Sequence, residues 1–373
     1  MNTRFLVYYL AFSLLFVDSL FSFDSRNQPD SSVISNTDTT WYNVTSFEIE
    51  GKGWIDTKSF YDRLPAKAEK LVPEKVWQLS SNSAGLCFRF ITDAKSFKIK
   101  WELLHPMIQM NHMPATGVSG IDIYKRDKDG NWFYFATGRP NKFPVNAASF
   151  SDKDTSEVYK EYLVNLPLYN GVSKVEIGLP AGTNLKNAEK KSIELKPLLF
   201  YGTSITQGGC ASRPGLAHPA IIGRKLNCPA INLGFSGSGK MEIELAHLIA
   251  EIDASIYILD CVWNMTSELI EERMEPFVKY LKEKRPTTPI LLVENSWFKN
   301  VFPTKEGEVY RKVYQKLLDE DVTGLYFLEG KNLIGSDGEG TVDGVHPNDL
   351  GFMRQADAFI PVIKSILTDD EKK

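Results

Sequence analysis

The second half of the chain alternates short apolar runs with longer amphipathic segments, and this alternation limits the fold more than any other feature. The apolar runs are Leu198–Gly202, Ala230–Phe235, Ile256–Val262, Ile290–Val293 and Leu325–Leu328. The helical candidates lie around 216–227, 240–252, 267–284, 305–320 and 349–367, and Thr266 is expected to cap the third of them. Because strands and helices alternate, the sequence predicts an α/β domain whose parallel sheet is covered by helices on both faces.

The first half of the chain has the pattern of a different fold class. Residues 97–103 place apolar side chains at every second position, which is the period of a half-buried strand. Asp129-Gly130 is a turn signal directly before the aromatic run Trp132–Phe135. Short strands, turn residues and little helical periodicity predict an all-β sandwich over residues 41–185. The polar residues 186–194 then form a linker to the α/β domain at 195–370.

The N-terminus has the features of a secretory signal peptide. Arg4 precedes an apolar run from Phe5 to Phe16, and the small residues Ser19 and Ser22 follow it. The run is short for a transmembrane helix of about 20 residues. We therefore expect a signal peptide at 1–22 that is cleaved off, followed by a flexible leader at 23–40. The mature protein is then exported to the periplasm or secreted, and we expect no membrane span in it.

Charge and metal-ligand spacing exclude several classes of function. The formal net charge is −4, and basic residues are interleaved with acidic ones, which argues against a nucleic-acid partner. The five histidines do not show the spacing of a metal site with Asp, Glu or Cys, so no metal or cofactor is expected. Cys210 and Cys228 flank one helical segment and either form a disulfide or remain separate buried thiols.

Residues suited to acyl transfer follow the first two apolar runs. Ser204 comes directly after the first run, where a hydroxyl projects into the cleft at the carboxyl ends of parallel strands. The glycine-rich segment Asn232–Gly239 lies at the end of the second run and presents backbone N–H groups, which can stabilise an oxyanion. A phosphate-binding loop is the competing interpretation, but the segment lacks the Lys-Ser/Thr ending of such a loop. Either segment alone is also compatible with an ordinary turn.

Two further segments complete the pattern. Asn264 follows the third run, where its amide can donate to the same oxyanion or simply form a turn. Asp343 and His346 stand three residues apart before the last helix, a spacing at which the carboxylate can hold the imidazole in one tautomer. Imidazole has an unperturbed pKa of about 6.5, which suits proton transfer near neutral pH.

These segments resemble the four conserved blocks of the SGNH (GDSL-type) hydrolases. The matching residues, in order, are Gly202-Thr203-Ser204-Ile205, Asn232 to Gly237, Asn264, and Asp343-x-x-His346. Over residues 195–370 the resemblance implies a flavodoxin-like sheet. It also implies Ser204 as nucleophile and His346 as general base oriented by Asp343. The oxyanion donors would then be the Ser204 and Gly237 amides and the Asn264 side chain. The chain departs from the family in reading Gly-Thr-Ser-Ile for Gly-Asp-Ser-Leu, and in placing bulky Trp263 beside Asn264.

The first half of the chain resembles the sandwich domain of an exported bacterial subgroup of that family. Gly120–Tyr124 is similar to its Gly-x-Asp-Leu-Tyr signature, and 208–215 is similar to its post-serine sequence. Relatives of this kind resemble carbohydrate esterases, which implies acetylated poly- or oligosaccharides as substrates. The candidate substrate contacts are Trp263, Arg213, Asp122 and Tyr124. In the alternative interpretation, Asp122 and Tyr124 lock the sandwich against the catalytic domain.

Three other functions remain compatible with the sequence. The first is a lipase or thioesterase that acts on longer acyl chains. The second is acyl transfer to a sugar acceptor in place of water. The third is a glycan-binding protein with a secondary hydrolase role, in which Tyr124, Trp132 and Trp101 of the sandwich stack on sugar rings. For Trp101 the alternation of residues 97–103 favours a core position instead.

Overall fold

The structure, a computed structural model, describes residues 38–188, 196–296 and 302–370. The predicted signal peptide at 1–22 and nearly all of the predicted leader at 23–40 lie outside these ranges. Most of the predicted linker at 186–194 lies outside them as well. From Asp38 onward the chain forms one compact unit, so the two predicted domains can be described together.

The N-terminal part contains two antiparallel sheets. Its strands are β1 (Thr39–Asn43), β2 (Ile49–Glu50), β3 (Cys87–Thr92), β4 (Ser96–Leu103), β5 (Ile121–Arg126), β6 (Trp132–Gly138), β7 (Val145–Ser151), β8 (Lys160–Asn165), β9 (Val172–Pro180) and β10 (Leu185–Asn187). One sheet has the order β1-β9-β4-β7, and the other has the order β10-β3-β8-β5-β6 with β2 also paired to β3. The predicted β-sandwich is confirmed.

The core of the sandwich lies between the two sheets. In β4, every second side chain from Phe97 to Leu103 is buried, as the alternation predicts. The opposing sheet contributes Phe88, Phe90 and Tyr162 to the same core. Trp101 is fully buried there, and its indole N–H donates to the Ser119 carbonyl at 2.9 Å. Trp101 is therefore a core residue and cannot stack on a sugar.

The C-terminal part is built on one parallel sheet. Its strands are β11 (Leu198–Gly202), β12 (Ala230–Gly234), β13 (Ile256–Asp260), β14 (Ile290–Val293) and β15 (Leu325–Leu328), in the order β12-β11-β13-β14-β15. Two short helices, α1 (Glu74–Ser80) and α2 (Ala115–Val118), precede this part of the chain. Its own helices are α3 (Ser204–Gln207), α4 (His218–Lys225), α5 (Ile243–Ile249), α6 (Ser267–Lys284), α7 (Lys305–Asp319) and α8 (Asp349–Asp370). This is the predicted flavodoxin-like order, with strands that are buried because helices cover both faces.

The segment between β2 and β3 packs where the sequence did not predict it. Its apolar side chains, among them Trp54, Leu64 and Val76, belong to the core under one face of the parallel sheet. Arg63, in the same segment, is 2% exposed and donates to the backbone carbonyls of Asn232 and Gly234 at 3.0 and 2.8 Å. The N-terminal part thus supplies some of the core of the catalytic layer.

The described residues decide between the two alternatives for Cys210 and Cys228. Cys210 and Cys228 are buried thiols, and no disulfide joins them. None of the helices in the described ranges is both long and apolar enough to cross a bilayer.

His218 is a buried histidine beneath the parallel sheet. Its ring lies among those of Phe200, Phe352 and Phe359, at centroid distances of 5.8, 5.9 and 5.3 Å. Both ring nitrogens are buried without a hydrogen-bond partner. Burial lowers the pKa of His218 to about 3, because desolvation opposes the charged ring.

We expect His218→Phe to stabilise the protein by an amount that grows as the pH falls. The unfolded chain takes up a proton on this histidine below pH about 6.5, whereas the folded chain does so only near pH 3. Between pH 7 and pH 5 the gain in the free energy of unfolding should increase by about 2 kcal/mol. Denaturant titrations at both pH values measure it, and His247→Phe at an exposed position is the control. A gain that shrinks with falling pH would show that His218 is charged and paired with Asp260, 3.9 Å away.

Candidate active site

Ser204 lies at the turn between β11 and α3. Thr203 caps this short helix, its hydroxyl accepting from the Ile205 N–H, and Gly208 ends it with φ +108°. A side chain at Gly202 would lie 2.2 Å from the Thr206 hydroxyl and 2.4 Å from the Asp260 carbonyl, so only glycine fits before the turn. Ser204 itself is largely buried in this closely packed turn, with 7% of its surface exposed.

His346 and Asp343 form a hydrogen-bonded chain with Ser204. The His346 Nε2 lies 2.9 Å from the Ser204 Oγ, and the His346 Nδ1 lies 2.7 Å from the Asp343 Oδ2. A carboxylate only accepts, so Nδ1 carries the proton and Nε2 is left to accept from the serine. The structure therefore brings the predicted nucleophile, base and acid together in the order that acyl transfer requires.

Asp343 is held in its ionised form. Partial burial opposes ionisation, but the backbone N–H groups of His346 and Val345 and the His346 ring all donate to the carboxylate. Together these hydrogen bonds lower the pKa of Asp343 to about 2. The carboxylate is therefore charged at neutral pH and can stabilise an imidazolium on His346.

The glycine-rich loop after β12 lies beside this chain of residues. Gly237 has φ +69° and is exposed, and a side chain there would meet nothing within 4 Å. The loop is tied to α3 through Gln207, whose side-chain oxygen accepts from the Ser236 N–H at 2.9 Å. Asn232 also reaches α3, donating from its side chain to the Thr206 carbonyl at 2.8 Å. The predicted amide donor is thus on a loop fixed to the helix that carries Ser204.

Asn264 lies at the end of a short turn after β13 and reaches the same loop. Its side-chain amide donates to the Ser238 carbonyl at 2.6 Å. One amide hydrogen is used in this bond, and an Asn side chain has a second for an oxyanion. Trp263 is half-buried beside it and packs against the core that includes Phe200. Trp263 therefore packs on the core side of this turn, and Asn264 contacts the glycine-rich loop.

Three of the candidate substrate contacts form an internal lock. Asp122 is fully buried, and its carboxylate accepts from the Arg213 guanidinium at 2.6 Å and from the Gly215 N–H at 3.0 Å. Arg213 also donates to the hydroxyl of Tyr124, which is 5% exposed. Asp122 has no exposed surface with which to contact a substrate, and Tyr124 has little. The geometry therefore favours the alternative interpretation, in which Asp122 and Tyr124 fasten the sandwich to the catalytic domain, here through Arg213 and Gly215 in the segment that follows Ser204.

Some residues near the site were missed by sequence reasoning. Tyr169, from the loop before β9, is a half-buried tyrosine whose hydroxyl donates to the Ser204 carbonyl at 3.2 Å. The ring of His112, from the loop after β4, lies 6.0 Å from the ring of His346. Both come from the N-terminal part, and no local motif marks either of them. Only the packing of the two parts against each other brings them to the site.

We also considered the Cys210 thiol as a nucleophile and the side chains that could bind a metal ion. Burial, together with the nearby Asp343 carboxylate, raises the pKa of the Cys210 thiol to about 12, so it remains protonated. Across the described ranges, no three His, Cys, Asp or Glu side chains are grouped so that they could hold a metal ion.

Comparison with known families places both parts of the chain. The model of the GDSL-like Lipase/Acylhydrolase family matches residues 195–364. The model described as the N-terminus of Esterase_SGNH_hydro-type, named GxDLY, matches residues 39–185. No curated protein sequence matches the chain.

Solved structures agree with these matches. A GDSL-like lipase from Bacteroides ovatus is 33% identical, with a TM-score of 0.82 over 88% of this chain and 98% of its own. A salicylyl-acyltransferase from a tetracycline biosynthetic pathway has 16% identity and a TM-score of 0.69 over 88% of this chain and 97% of its own. A family two carbohydrate esterase from Cellvibrio japonicus has 10% identity and a TM-score of 0.59 over 89% and 99%. The latter two show the fold alone. Given the extent of the first match, the chain belongs to the GDSL-like lipase/acylhydrolase family of SGNH-type esterases.

Proposed function

We propose that this protein is an exported serine esterase that removes small acyl groups, chiefly acetyl, from hydroxyl groups of poly- or oligosaccharides. The observation that carries the proposal is the continuous chain of short contacts from Ser204 through His346 to Asp343. Export rests on the signal peptide that the sequence predicts at residues 1–22. An exported enzyme can reach polysaccharides that lie outside the cytoplasm.

The arrangement supports a two-step acyl transfer. Ser204 attacks the ester carbonyl while His346 Nε2 takes its proton, and the carbonyl oxygen becomes an oxyanion. In this mechanism the backbone N–H groups of Ser204 and Gly237 and the side chain of Asn264 donate to that oxyanion. His346 then protonates the departing alcohol. In the second step water attacks the acyl-enzyme while His346 takes a proton from it, and His346 passes that proton to the Ser204 Oγ as the acid leaves.

The surface beside the site favours a polar substrate over a long acyl chain. A groove of about 840 Å³ begins at Gly237 and Ser238 and has a mixed lining, with charged residues such as Lys240, Glu244 and Arg273 and apolar residues such as Ile243 and Leu269. A long alkyl chain lying there would take water from the charged groups without replacing the hydrogen bonds that this water makes, which costs free energy. Sugar hydroxyls can exchange hydrogen bonds with the same charged groups. The charged part of the lining therefore supports a carbohydrate ester as the substrate.

Ser204→Ala and His346→Ala should each lower kcat for ester hydrolysis by about 10⁴-fold or more, because both groups are needed for the same proton transfer. The measurement is acetate release from acetylated xylan, mannan and pectin fragments, together with p-nitrophenyl esters of increasing chain length. The wild type should prefer acetate to octanoate.

Ser173→Ala, on the exposed surface of the sandwich, is the control for the loss of a serine hydroxyl and should keep full activity. A preference for octanoate would contradict the carbohydrate ester assignment alone. Full activity in Ser204→Ala would contradict the mechanism itself.

Asn264→Ala should lower kcat by about 10²–10³-fold, which corresponds to the loss of one oxyanion donor of about 2.7–4 kcal/mol. Because Asn264 also holds the Ser238 carbonyl, a modest fall in the thermal midpoint is expected beside the kinetic effect. Steady-state kinetics and thermal unfolding of the same preparation separate the two effects. A loss of stability with kcat within about threefold of the wild type would assign Asn264 to the loop alone.

A further inference from the structure

The loop after β4 ends in a tight turn that is anchored on both sides. Met110 and Met113 exchange backbone hydrogen bonds of 3.0 and 3.3 Å, which places Asn111 and His112 at the tip of a two-residue turn. Met113 is 2% exposed and packs in the core beneath β11. At the start of the loop, the Asn170 side chain accepts from the His105 N–H at 3.0 Å and donates to the His105 carbonyl at 2.9 Å. The tip is therefore held in place although its own side chains are exposed.

His112 is presented beside the proposed general base. Its ring centroid lies 6.0 Å from that of His346, with the two rings inclined at 45°. The His112 Nδ1 lies 2.6 Å from the Asn111 side-chain oxygen, and an amide oxygen only accepts, so Nδ1 carries the proton. In the neutral ring this leaves Nε2 as a hydrogen-bond acceptor. The turn thus places an acceptor at the edge of the site that packing of the core does not explain.

The position of the leaving alcohol determines which of its groups can hydrogen-bond to the His112 Nε2. His346 must protonate the departing alcohol oxygen, so that oxygen lies within hydrogen-bond distance of the His346 Nε2. The atoms of the alcohol that follow the oxygen extend away from His346, and the exposed ring of His112 lies 6.0 Å from the His346 ring. A hydroxyl on the adjacent carbon of the alcohol is a donor that matches the acceptor on His112.

We propose that His112 is a specificity-determining residue that accepts a hydrogen bond from the hydroxyl next to the ester oxygen, a role that rests on the esterase function proposed above. The preferred substrates are then monoesters of vicinal diols, as in partly acylated sugar rings and polyols. Esters of alcohols without that hydroxyl are turned over more slowly. A site built to hydrogen-bond a hydroxyl disfavours an analogue that lacks it, since its acceptor is left unpaired.

The test compares 2-hydroxyethyl acetate with 2-methoxyethyl acetate, in which a methyl group replaces the hydrogen that would be donated. The wild type should show a kcat/KM about 10-fold higher for the hydroxyethyl ester, a preference expected of one hydrogen bond at a half-open site. His112→Ala should lose this preference by slowing only the hydroxyethyl ester. His112→Gln, which keeps a side-chain acceptor, should retain part of it. His105→Ala, an exposed histidine on the same loop, is the control and should behave as the wild type.

The outcomes separate this inference from the proposed function. An equal loss toward both esters in His112→Ala, or an unchanged preference, would overturn the role of His112. If either result is obtained while Ser204→Ala is inactive on both esters, only the role of His112 is contradicted. If Ser204→Ala hydrolyses both esters like the wild type, the esterase mechanism is contradicted, and so is the role of His112 that rests on it.

Discussion

Arg63 carries a charge that is buried among backbone carbonyls, and the geometry of the catalytic loops depends on it. Its guanidinium donates to the carbonyls of Asn232 and Gly234, at the end of the strand that leads into the Gly237 loop. It also donates to the carbonyls of Leu79 and Asn82 in the N-terminal part. Burial lowers the pKa of Arg63 to about 9, because desolvation opposes the charged form. A charge in this position is tolerable only while all these carbonyls point toward it, so the residue fixes both segments together.

Asp122 performs the corresponding task on the other side of Ser204. Its buried carboxylate requires the Arg213 side chain and the Gly215 N–H, and both belong to the segment after the nucleophile. A side chain at Gly215 would lie 2.5 Å from the Tyr124 ring, so the close approach of the two parts also needs glycine there. With Arg63 and Asp122 in place, both loops that flank the nucleophile are held by residues of the N-terminal part. The N-terminal part therefore supports the loops of the candidate site, and in the role proposed for His112 its Asn111–His112 turn extends that site.

The sequence could predict those elements whose signal is local. The five parallel strands follow from their apolar runs, and the helix Ser267–Lys284 begins after Thr266 as its capping residue requires. The segment around Trp54, Leu64 and Val76 could not be assigned, because its apolar residues follow neither a strand nor a helix period, and their partner lies in another part of the chain.

The same limit applies to the site. Ser204, His346 and Asp343 stand in local motifs, whereas no motif distinguishes a buried Asp122 from an exposed one. The burial of Asp122 becomes visible only when Arg213 and Gly215 are placed against it. His112 and Tyr169 likewise reach the site through the packing of the two parts, and the sequence near them carries no catalytic signal.

The central claim is that Ser204 is the nucleophile and that the His346–Asp343 pair activates it. A fluorophosphonate reacts with an activated serine and leaves a stable covalent adduct, which intact-protein and peptide mass spectrometry can locate. The expected result is one adduct per chain, on the peptide that contains Ser204, with labelling strongly slowed in His346→Ala. An esterase-active protein that remains unlabelled, or that carries its adduct on another residue, would contradict the claim.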